Sequence, residues 1–296
     1  MIDLLLFEDL LKALPPPAQL IMVGDKDQLP AVGPGSIFND LILAQVGKII
    51  NLTKIFRQAE KSLIVVNAHR INQGQMPILK TEGEKNFFFI EQPTIEKIPQ
   101  IVVDLVTTRL PKTYQYDPQK DIQVISPMYK GETGVNNLNR LLQERLNPTG
   151  KELTYGMFKY RVGDKVMQIR NNYEKGVFNG DCGYITRIDQ ELQEVEVIFD
   201  EKVSYDFAEL DELTLAYAIT VHKSQGSEYK AVIMPLVTQH FLMLQRNLLY
   251  TAITRAKELL ILIGTNKALA IAVKNDKIKK RFSTLTEKIK KEFSDI

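Results

Sequence analysis

Most of the chain alternates between short apolar runs that end at polar turns and stretches in which apolar residues recur at helical spacing. The apolar runs predict buried strands at 18–23, 48–52, 122–125, 213–221, 231–236 and 259–264. Helical spacing predicts an opening helix that Pro15 ends, followed by helices at about 37–46, 62–71, 135–146 and 247–257. This alternation is typical of an α/β domain with a parallel sheet.

Strict alternation replaces helical spacing between about residues 156 and 207. Val195, Val197 and Phe199 share one face of a predicted strand, and Asn179-Gly180 supplies turn chemistry. Four or five short strands of this kind predict a small antiparallel barrel. The α/β pattern continues after it, so the barrel is an insertion.

Composition narrows the class of protein without identifying a partner. The 296 residues include 38 Lys and Arg against 36 Asp and Glu, a net charge of +2, and no apolar run approaches the length of a membrane span. The single cysteine, Cys182, excludes an intramolecular disulfide and fits a reducing cytoplasm. Charge concentrates only between Lys274 and Lys291, with eight basic residues and two acidic ones, a pattern typical of a solvated helix face, with DNA contact as the alternative.

Four polar clusters lie next to predicted strands: 24–30 (GDKDQLP), 126–131 (SPMYKG), 220–226 (TVHKSQG) and Thr254-Arg255. Ligands of open α/β sheets bind beyond the carboxyl ends of the strands, so we expect these clusters to form a site. Each cluster alone is also explained by a turn, a surface ion pair or, for Met128 and Tyr129, by packing. Only their combination and order are specific.

In that order, the clusters resemble the motifs of RecD-like superfamily-1 DNA helicases. Residues 24–33 are similar to motif III of that family, 56–58 (FRQ) to motif IV, 220–228 to motif V and 250–257 (YTAITRAK) to motif VI. The resemblance implies a RecA-like parallel-sheet motor domain with an inserted SH3-like β-barrel, preceded by the tail of a first RecA-like domain. The implied division is 1–47 for that tail, 48–155 and 208–270 for the second RecA-like domain, 156–207 for the barrel, and 271–296 for a basic C-terminal tail.

The resemblance also implies roles for individual residues. Arg57 and Arg255 would act as arginine fingers toward the γ-phosphate of ATP, because guanidinium groups stay charged and bind phosphate bidentately. Gln28 would sense that phosphate. The other implied nucleotide contacts are Gly24, Asp25, Gly226 and Glu228. The implied DNA contacts are Ser126, Pro127, Met128, Tyr129, Lys130, Thr220, His222, Lys223 and, at a turn of the barrel, Asn179 with Phe178 and Lys175.

The phosphate-binding loop that such a motor needs is not found in the sequence. Gly47-Lys48 and Gly150-Lys151 are followed by Ile49 and Glu152, where a Ser or Thr is required. Asp200-Glu201 imitates a magnesium-binding pair, but it lies inside the barrel and is interpreted as a strand end. No metal ligand is therefore assigned. The Mg²⁺ ligands are expected in an N-terminal half upstream of Met1, and residues 1–47 are expected to expose apolar side chains.

The resulting hypothesis is that the chain is the second motor half of an ATP-dependent 5′–3′ DNA helicase and is inactive alone. Its partners would be single-stranded DNA, or a duplex with a 5′ overhang, and the missing N-terminal half. That half would be absent through truncation or supplied by a second chain. The alternative is a non-enzymatic single-strand binder or interaction fragment. A nuclease fits poorly, since only three histidines occur and no acidic cluster indicates two-metal cleavage.

Overall fold

The computed structural model describes residues 2–52, 62–79, 85–156, 158–276 and 283–294. The α-helices of this part are α1 Leu4–Ala13, α2 Ile37–Ala44, α3 Leu63–Asn72, α4 Ile98–Asp104, α5 Leu110–Tyr114, α6 Val135–Leu146, α7 Arg246–Ile253, α8 Asn266–Lys274 and α9 Leu285–Ser294. The strands are β1 Phe87–Glu91, β2 Ile122–Ser126, β3 Glu152–Tyr155, β4 Phe158–Arg161, β5 Lys165–Gln168, β6 Cys182–Asp189, β7 Glu194–Ile198, β8 Lys202–Asp206, β9 Leu213–Leu215, β10 Ala218–Thr220, β11 Tyr229–Leu236 and β12 Ala256–Gly264. None of the helices described is both long and apolar enough to cross a membrane.

The centre of the molecule is a parallel sheet with the strand order β1-β12-β11-β2-β10. Its inner strands are apolar on both faces, as expected for strands covered from both sides. Helices α3, α7 and α8 pack against one face through a cluster that includes Leu248 and Leu260. Helices α4 and α6 pack against the other face, where Val102 and Leu138 meet Val124. The predicted RecA-like architecture is confirmed.

A second, antiparallel sheet has the order β8-β7-β6-β5-β9. Val195 and Val197 are fully buried in it, as their alternation predicts, and Asp200-Glu201 lies in the turn between β7 and β8. The sheet extends beyond the expected limits of 156–207, because β9 pairs with β5 through Val166 and Leu215. The added hairpin β3–β4 begins at residue 152, also outside those limits.

The barrel and the parallel sheet share one apolar core, in which barrel residues such as Tyr160 and Ile185 join Val124 and Leu138. A buried carboxylate reinforces the junction. Asp164 accepts hydrogen bonds from Gln143 Nε2 (2.5 Å), Asn147 Nδ2 (2.7 Å), Tyr217 Oη (3.0 Å) and the Arg161 amide (2.6 Å). Burial raises the pKa of Asp164, and these donors oppose that effect. The insert is therefore fastened to the motor domain by both apolar and polar contacts.

The N-terminal segment 2–52 differs most from prediction. Helices α1 and α2 form as expected, whereas the predicted strands at 18–23 and 48–52 do not pair with any described strand. Val23 and Leu52 are each 94% exposed. An apolar run becomes a strand only when neighbouring strands satisfy its backbone groups, and no such neighbour is described here. The predicted exposure of apolar side chains in residues 1–47 is confirmed.

Two further differences concern elements around the parallel sheet. Helix α7 ends at Ile253, not near residue 257, because Ala256 and Lys257 already belong to β12. The sequence pattern does not predict edge strand β1 or helices α4 and α5. At the other end of the chain, α9 packs against α2, and Thr286 Oγ1 donates to the Asp40 carbonyl (3.3 Å).

Candidate functional site

Two of the predicted DNA-contact clusters lie side by side at the carboxyl edge of the parallel sheet. Strands β2 and β10 are neighbours, and Thr220 pairs in register with Ser126, the last residue of β2. The loops that follow both strands therefore leave the sheet at the same edge. This is the edge at which open α/β sheets bind ligands.

The loop after β2 is held rigidly and presents an exposed ring. Ser126 Oγ donates to the Thr133 carbonyl (2.7 Å), and the amide of Val135 at the start of α6 donates to the Met128 carbonyl (2.9 Å). Gly134 is required here, because a Cβ at that position would lie 2.5 Å from the Lys130 carbonyl oxygen. Ser126 and Pro127 are buried and anchor the loop, whereas Tyr129 (54% exposed) and Lys130 face solvent.

The loop after β10 connects the motor domain to the barrel. Lys223 Nζ donates to Asn179 Oδ1 (2.5 Å), and the Lys223 amide donates to Thr220 Oγ1 (3.3 Å). Burial lowers the pKa of Lys223. Beside Asn179, the rings of Phe178 and Tyr173 meet edge to face at 5.8 Å, and both are exposed. Lys223 and Asn179, two of the predicted DNA contacts, are thus in direct contact.

A buried histidine, His240, contacts the loop after β2 at the carboxyl edge. His240 Nε2 lies 3.0 Å from Thr133 Oγ1, joining the turn Thr238–Met243 after β11 to the loop after β2. The Nδ1 atom of His240 is buried without a hydrogen-bond partner among the described residues. Burial lowers the pKa of His240 to about 4, so the ring is neutral at pH 7.

Arg255 lies at the opposite, amino edge of the sheet, directly before β12. Its guanidinium is buried and donates to the Thr251 carbonyl from Nε (3.1 Å), to the Ser227 carbonyl from Nη1 (3.0 Å) and to Thr254 Oγ1 from Nη2 (3.1 Å). Burial lowers the pKa of Arg255, and the carboxylates of Glu228 and Asp25 oppose that shift. Three of the five N–H groups of Arg255 have partners among the described residues.

The segment 25–29 docks against the same region. Tyr250 Oη donates to Asp25 Oδ2 (3.0 Å), and Gln28 Nε2 also donates to that oxygen (3.1 Å). The Leu29 amide donates to Thr251 Oγ1 (2.8 Å), and Gln225 Nε2 donates to the Leu29 carbonyl (2.6 Å). Asp25 and Gln28 are therefore brought beside Arg255, although no strand leads into them.

The remaining predicted nucleotide contacts lie in or near this region, with one exception. Gly226 has φ +85°, and a Cβ built there would meet nothing within 4 Å, which leaves open space beside the loop. Glu228 is exposed and pairs with Lys257 (3.2 Å). Gly24 lies against Phe38, whose ring would be 3.3 Å from a Cβ at that position. Arg57 lies outside the described residues, so its partnership with Arg255 stays a prediction.

The four sequence clusters do not converge at one edge. Those at 126–131 and 220–223 lie at the carboxyl edge, whereas Arg255 and the segment 25–29 meet near the amino edge, because β12 begins after Arg255. Loop 220–228 runs between the two edges, since β10 ends where the loop begins and β11 starts where it ends.

The predicted DNA contact Lys175 is already engaged within the barrel. Its ammonium group pairs with Glu209 (2.5 Å) and lies 4.4 Å from the centroid of the Tyr205 ring. Part of the basic stretch from Lys274 lies outside the described residues.

The sequence pattern does not predict several residues of the site. Gln225, Tyr250 and Thr251 lie within the quoted motifs V and VI, so their position in those motifs was the available signal. Thr133 and His240 lie outside motifs III to VI, and their contact joins positions 107 residues apart. Among the described residues, no group of three His, Cys, Asp or Glu side chains could hold a metal ion.

Family profiles match three parts of the chain. Residues 138–199 match the ATP-dependent RecD-like DNA helicase SH3 domain, residues 215–263 the UvrD-like helicase C-terminal domain, and residues 1–88 an AAA domain. The first two profiles cover most of the barrel and of motifs V and VI.

Two relatives match nearly the whole chain. The ATP-dependent RecD2 DNA helicase of Deinococcus radiodurans is 36% identical over 282 residues, which are 95% of this chain and 37% of that protein. The RecBCD enzyme subunit RecD of Mycolicibacterium smegmatis is 26% identical over 94% of this chain and 51% of its own length. The chain thus spans about a third to a half of these relatives. In fold, it is similar to a Bacteroides Pif1 helicase crystallised with ADP-AlF3 and ssDNA, with a TM-score of 0.51, 19% identity, and 92% of this chain and 66% of that chain covered.

Proposed function

The chain belongs to the RecD-like superfamily-1 helicases, whose C-terminal part it matches, and on that basis we propose that it is the second motor half of an ATP-dependent DNA helicase. One observation carries the proposal. Loop 220–228 extends from Thr220 at the carboxyl edge to Ser227, whose carbonyl accepts from Arg255 at the amino edge. A single loop therefore links the candidate DNA contacts to the candidate phosphate contact.

On the DNA side, the chemistry suits a single strand of any sequence. Tyr129 offers an exposed ring on which a base can stack, and Lys130 and Lys223 place two cations on adjoining loops. Base stacking and phosphate attraction both tolerate every base, which translocation along DNA requires. Through its contact with Lys223, Asn179 places the barrel next to the same DNA strand.

On the nucleotide side, Arg255 is preorganised. Its guanidinium is fixed by three hydrogen bonds to groups of its own chain and keeps two N–H groups for a phosphate oxygen. A guanidinium so placed neutralises charge that develops on the transferred phosphoryl group. Mg²⁺-bound ATP would supply the hydrolysable phosphate bond, and the residues that hold the metal are proposed to lie in an N-terminal half.

The finer parts of the hypothesis follow from the family. We propose 5′–3′ movement on single-stranded DNA, entry from a 5′ overhang, action in the cytoplasm, and no ATP turnover by the chain alone. Arg57 and Gln28 would complete the phosphate contacts once the N-terminal half closes against segment 25–29. The exposed apolar side chains elsewhere in residues 2–52, such as Ile21 and Val23, provide a surface for that half.

The test compares Tyr129→Ala with Tyr114→Ala, a matched exposed tyrosine at the end of α5. Loss of one stacked base costs about 1–3 kcal/mol, so Tyr129→Ala should weaken binding of a fluorescent oligo-dT about fivefold or more, while Tyr114→Ala binds as the wild type does. Binding should also fall steeply with salt. Fluorescence anisotropy measures both effects.

The enzymatic part is tested by adding the N-terminal half in trans. DNA-stimulated ATP hydrolysis should appear only in the mixture and should be lost in Arg255→Lys, because a lysine cannot reproduce the guanidinium fork. Salt-dependent DNA binding without ATP turnover in the mixture would instead support the non-enzymatic binding module. Turnover by the chain alone, or binding insensitive to Tyr129→Ala, would contradict the proposal.

A further inference from the structure

Both backbone groups of one residue, Leu29, are held by side chains from distant parts of the chain. The Leu29 amide donates to Thr251 Oγ1 at 2.8 Å, and its carbonyl accepts from Gln225 Nε2 at 2.6 Å. The two partners lie on different elements, helix α7 and loop 220–228. Leu29 lies outside any described strand, yet both its amide and its carbonyl are hydrogen-bonded to side chains.

These two contacts close a ring that contains Arg255. Arg255 Nε donates to the carbonyl of Thr251, and Nη1 donates to the carbonyl of Ser227, two residues after Gln225. The ring runs from Leu29 to Thr251, Arg255, Ser227, Gln225 and back to Leu29. A displacement of segment 25–29 must therefore strain the hydrogen bonds that orient the guanidinium.

The groups that grip Leu29 are themselves fixed. Thr251 is fully buried, and its hydroxyl donates to the Asn247 carbonyl (2.7 Å), which directs its lone pairs toward the Leu29 amide. The Leu29 side chain packs against the apolar cluster between α7 and the sheet. Tyr250 Oη adds a bond to Asp25 four residues before Leu29. The segment thus packs against groups that are themselves held in place by hydrogen bonds and burial.

We propose that Thr251 and Gln225 are positioning residues that keep Leu29, and with it Gln28, in register with the Arg255 guanidinium. We call Leu29, Thr251 and Gln225 the Leu29 clamp. The proposal rests on the proposed helicase function and extends it: the clamp makes segment 25–29, the candidate phosphate contact and the loop bearing His222 and Lys223 move as one body. Neither clamp side chain needs to touch nucleotide or DNA.

Hydrogen–deuterium exchange of the segment 25–32 in the purified chain tests the clamp without nucleotide or DNA. Thr251→Val removes the acceptor of the Leu29 amide and should speed exchange in this segment about tenfold, as loss of one hydrogen bond predicts. Thr251→Ser retains the hydroxyl and should exchange as the wild type does. The matched control is Thr107→Val, because Thr107 Oγ1 makes the same local bond to a carbonyl four residues earlier (2.8 Å) and touches no part of the clamp.

A second arm adds oligo-dT and measures exchange in the same segment. The wild type and Thr107→Val should become more protected at 25–32, whereas Gln225→Glu, which replaces the donor amide with a carboxylate, should lose that response. Unchanged exchange in Thr251→Val, or no rescue by Thr251→Ser, would overturn the clamp. A chain that shows the exchange pattern but does not bind oligo-dT would refute the proposed function and leave the clamp standing.

Discussion

At the scale of single residues, Arg255 shows how a charge is kept inside a protein. Its guanidinium is buried, yet it faces the carbonyl oxygens of Thr251 and Ser227 instead of a paired carboxylate. Carbonyl dipoles stabilise the cation while the nearby charges of Glu228 and Asp25 act at longer range. A charge held in this way remains available to an anionic ligand, whereas a salt-bridged one would first have to exchange partners.

His240 has the opposite environment, and its titration predicts a pH dependence of stability. Its folded pKa of about 4 lies below the ordinary 6.5, so the unfolded chain binds a proton more readily, and stability falls as pH drops from about 6.5 toward 4. Between pH 7 and 5, we expect a loss of about 2 kcal/mol from this group. His240→Gln, which cannot titrate, should remove that part of the slope in urea unfolding curves. An equal slope in wild type and variant would contradict the assignment.

At the scale of elements, the barrel is fixed to the motor domain by the bonds around Asp164. Gln143 and Asn147 come from α6 and the residue after it, Tyr217 from the link between β9 and β10, and the Arg161 amide from β4. One carboxylate therefore holds the helical layer, the hairpin and the return to the parallel sheet together. This arrangement keeps Asn179 close to Lys223.

Asp164→Ala tests this junction. The substitution leaves several buried donors without an acceptor, and we expect it to lower the free energy of unfolding by about 3 kcal/mol. Asp200→Ala, at an exposed aspartate in the turn between β7 and β8, should change it by less than about 0.5 kcal/mol. Urea denaturation followed by circular dichroism measures both. Equal effects of the two substitutions would show that the carboxylate does not fasten the barrel.

At the scale of the whole molecule, apolar side chains are distributed unevenly. The parallel sheet and the barrel bury theirs in continuous cores, whereas the N-terminal segment exposes Ile21 (76%), Val23 and Leu52. Exposed apolar patches mark surfaces that another protein part covers. The same segment carries Asp25 and Gln28, so its uncovered side lies next to the candidate nucleotide contacts.

Because that surface is uncovered, we expect the isolated chain to self-associate. Val23→Lys should lower the apparent mass in sedimentation-velocity experiments at high protein concentration, since a charge on the patch opposes apolar contact. Leu192→Lys adds the same charge at an exposed leucine of the β6–β7 turn and should leave association unchanged. An equal apparent mass for the two variants would show that the self-associating surface does not include Val23.

The sequence was informative where the signal is local. Helix α6 agrees with its predicted limits, and the runs at 122–125, 231–236 and 259–264 are buried parallel strands. Residues 18–23 carry an equally apolar run but form no strand, because strand formation needs partners that periodicity does not reveal. The sequence predicts too late an end for α7, because the motif that contains this end continues directly into β12.

By itself, the sequence determined the α/β class, the inserted barrel and the residue types of the site, because periodicity, turn chemistry and motif order are encoded along the chain. Only the tertiary structure decided that Arg255 and Thr220 lie at opposite edges of one sheet, that Lys223 meets Asn179, and that Leu29 is held from two sides. Those contacts join residues about 40 to 220 positions apart, and their geometry depends on how the layers pack. No local pattern of amino acids specifies such distances.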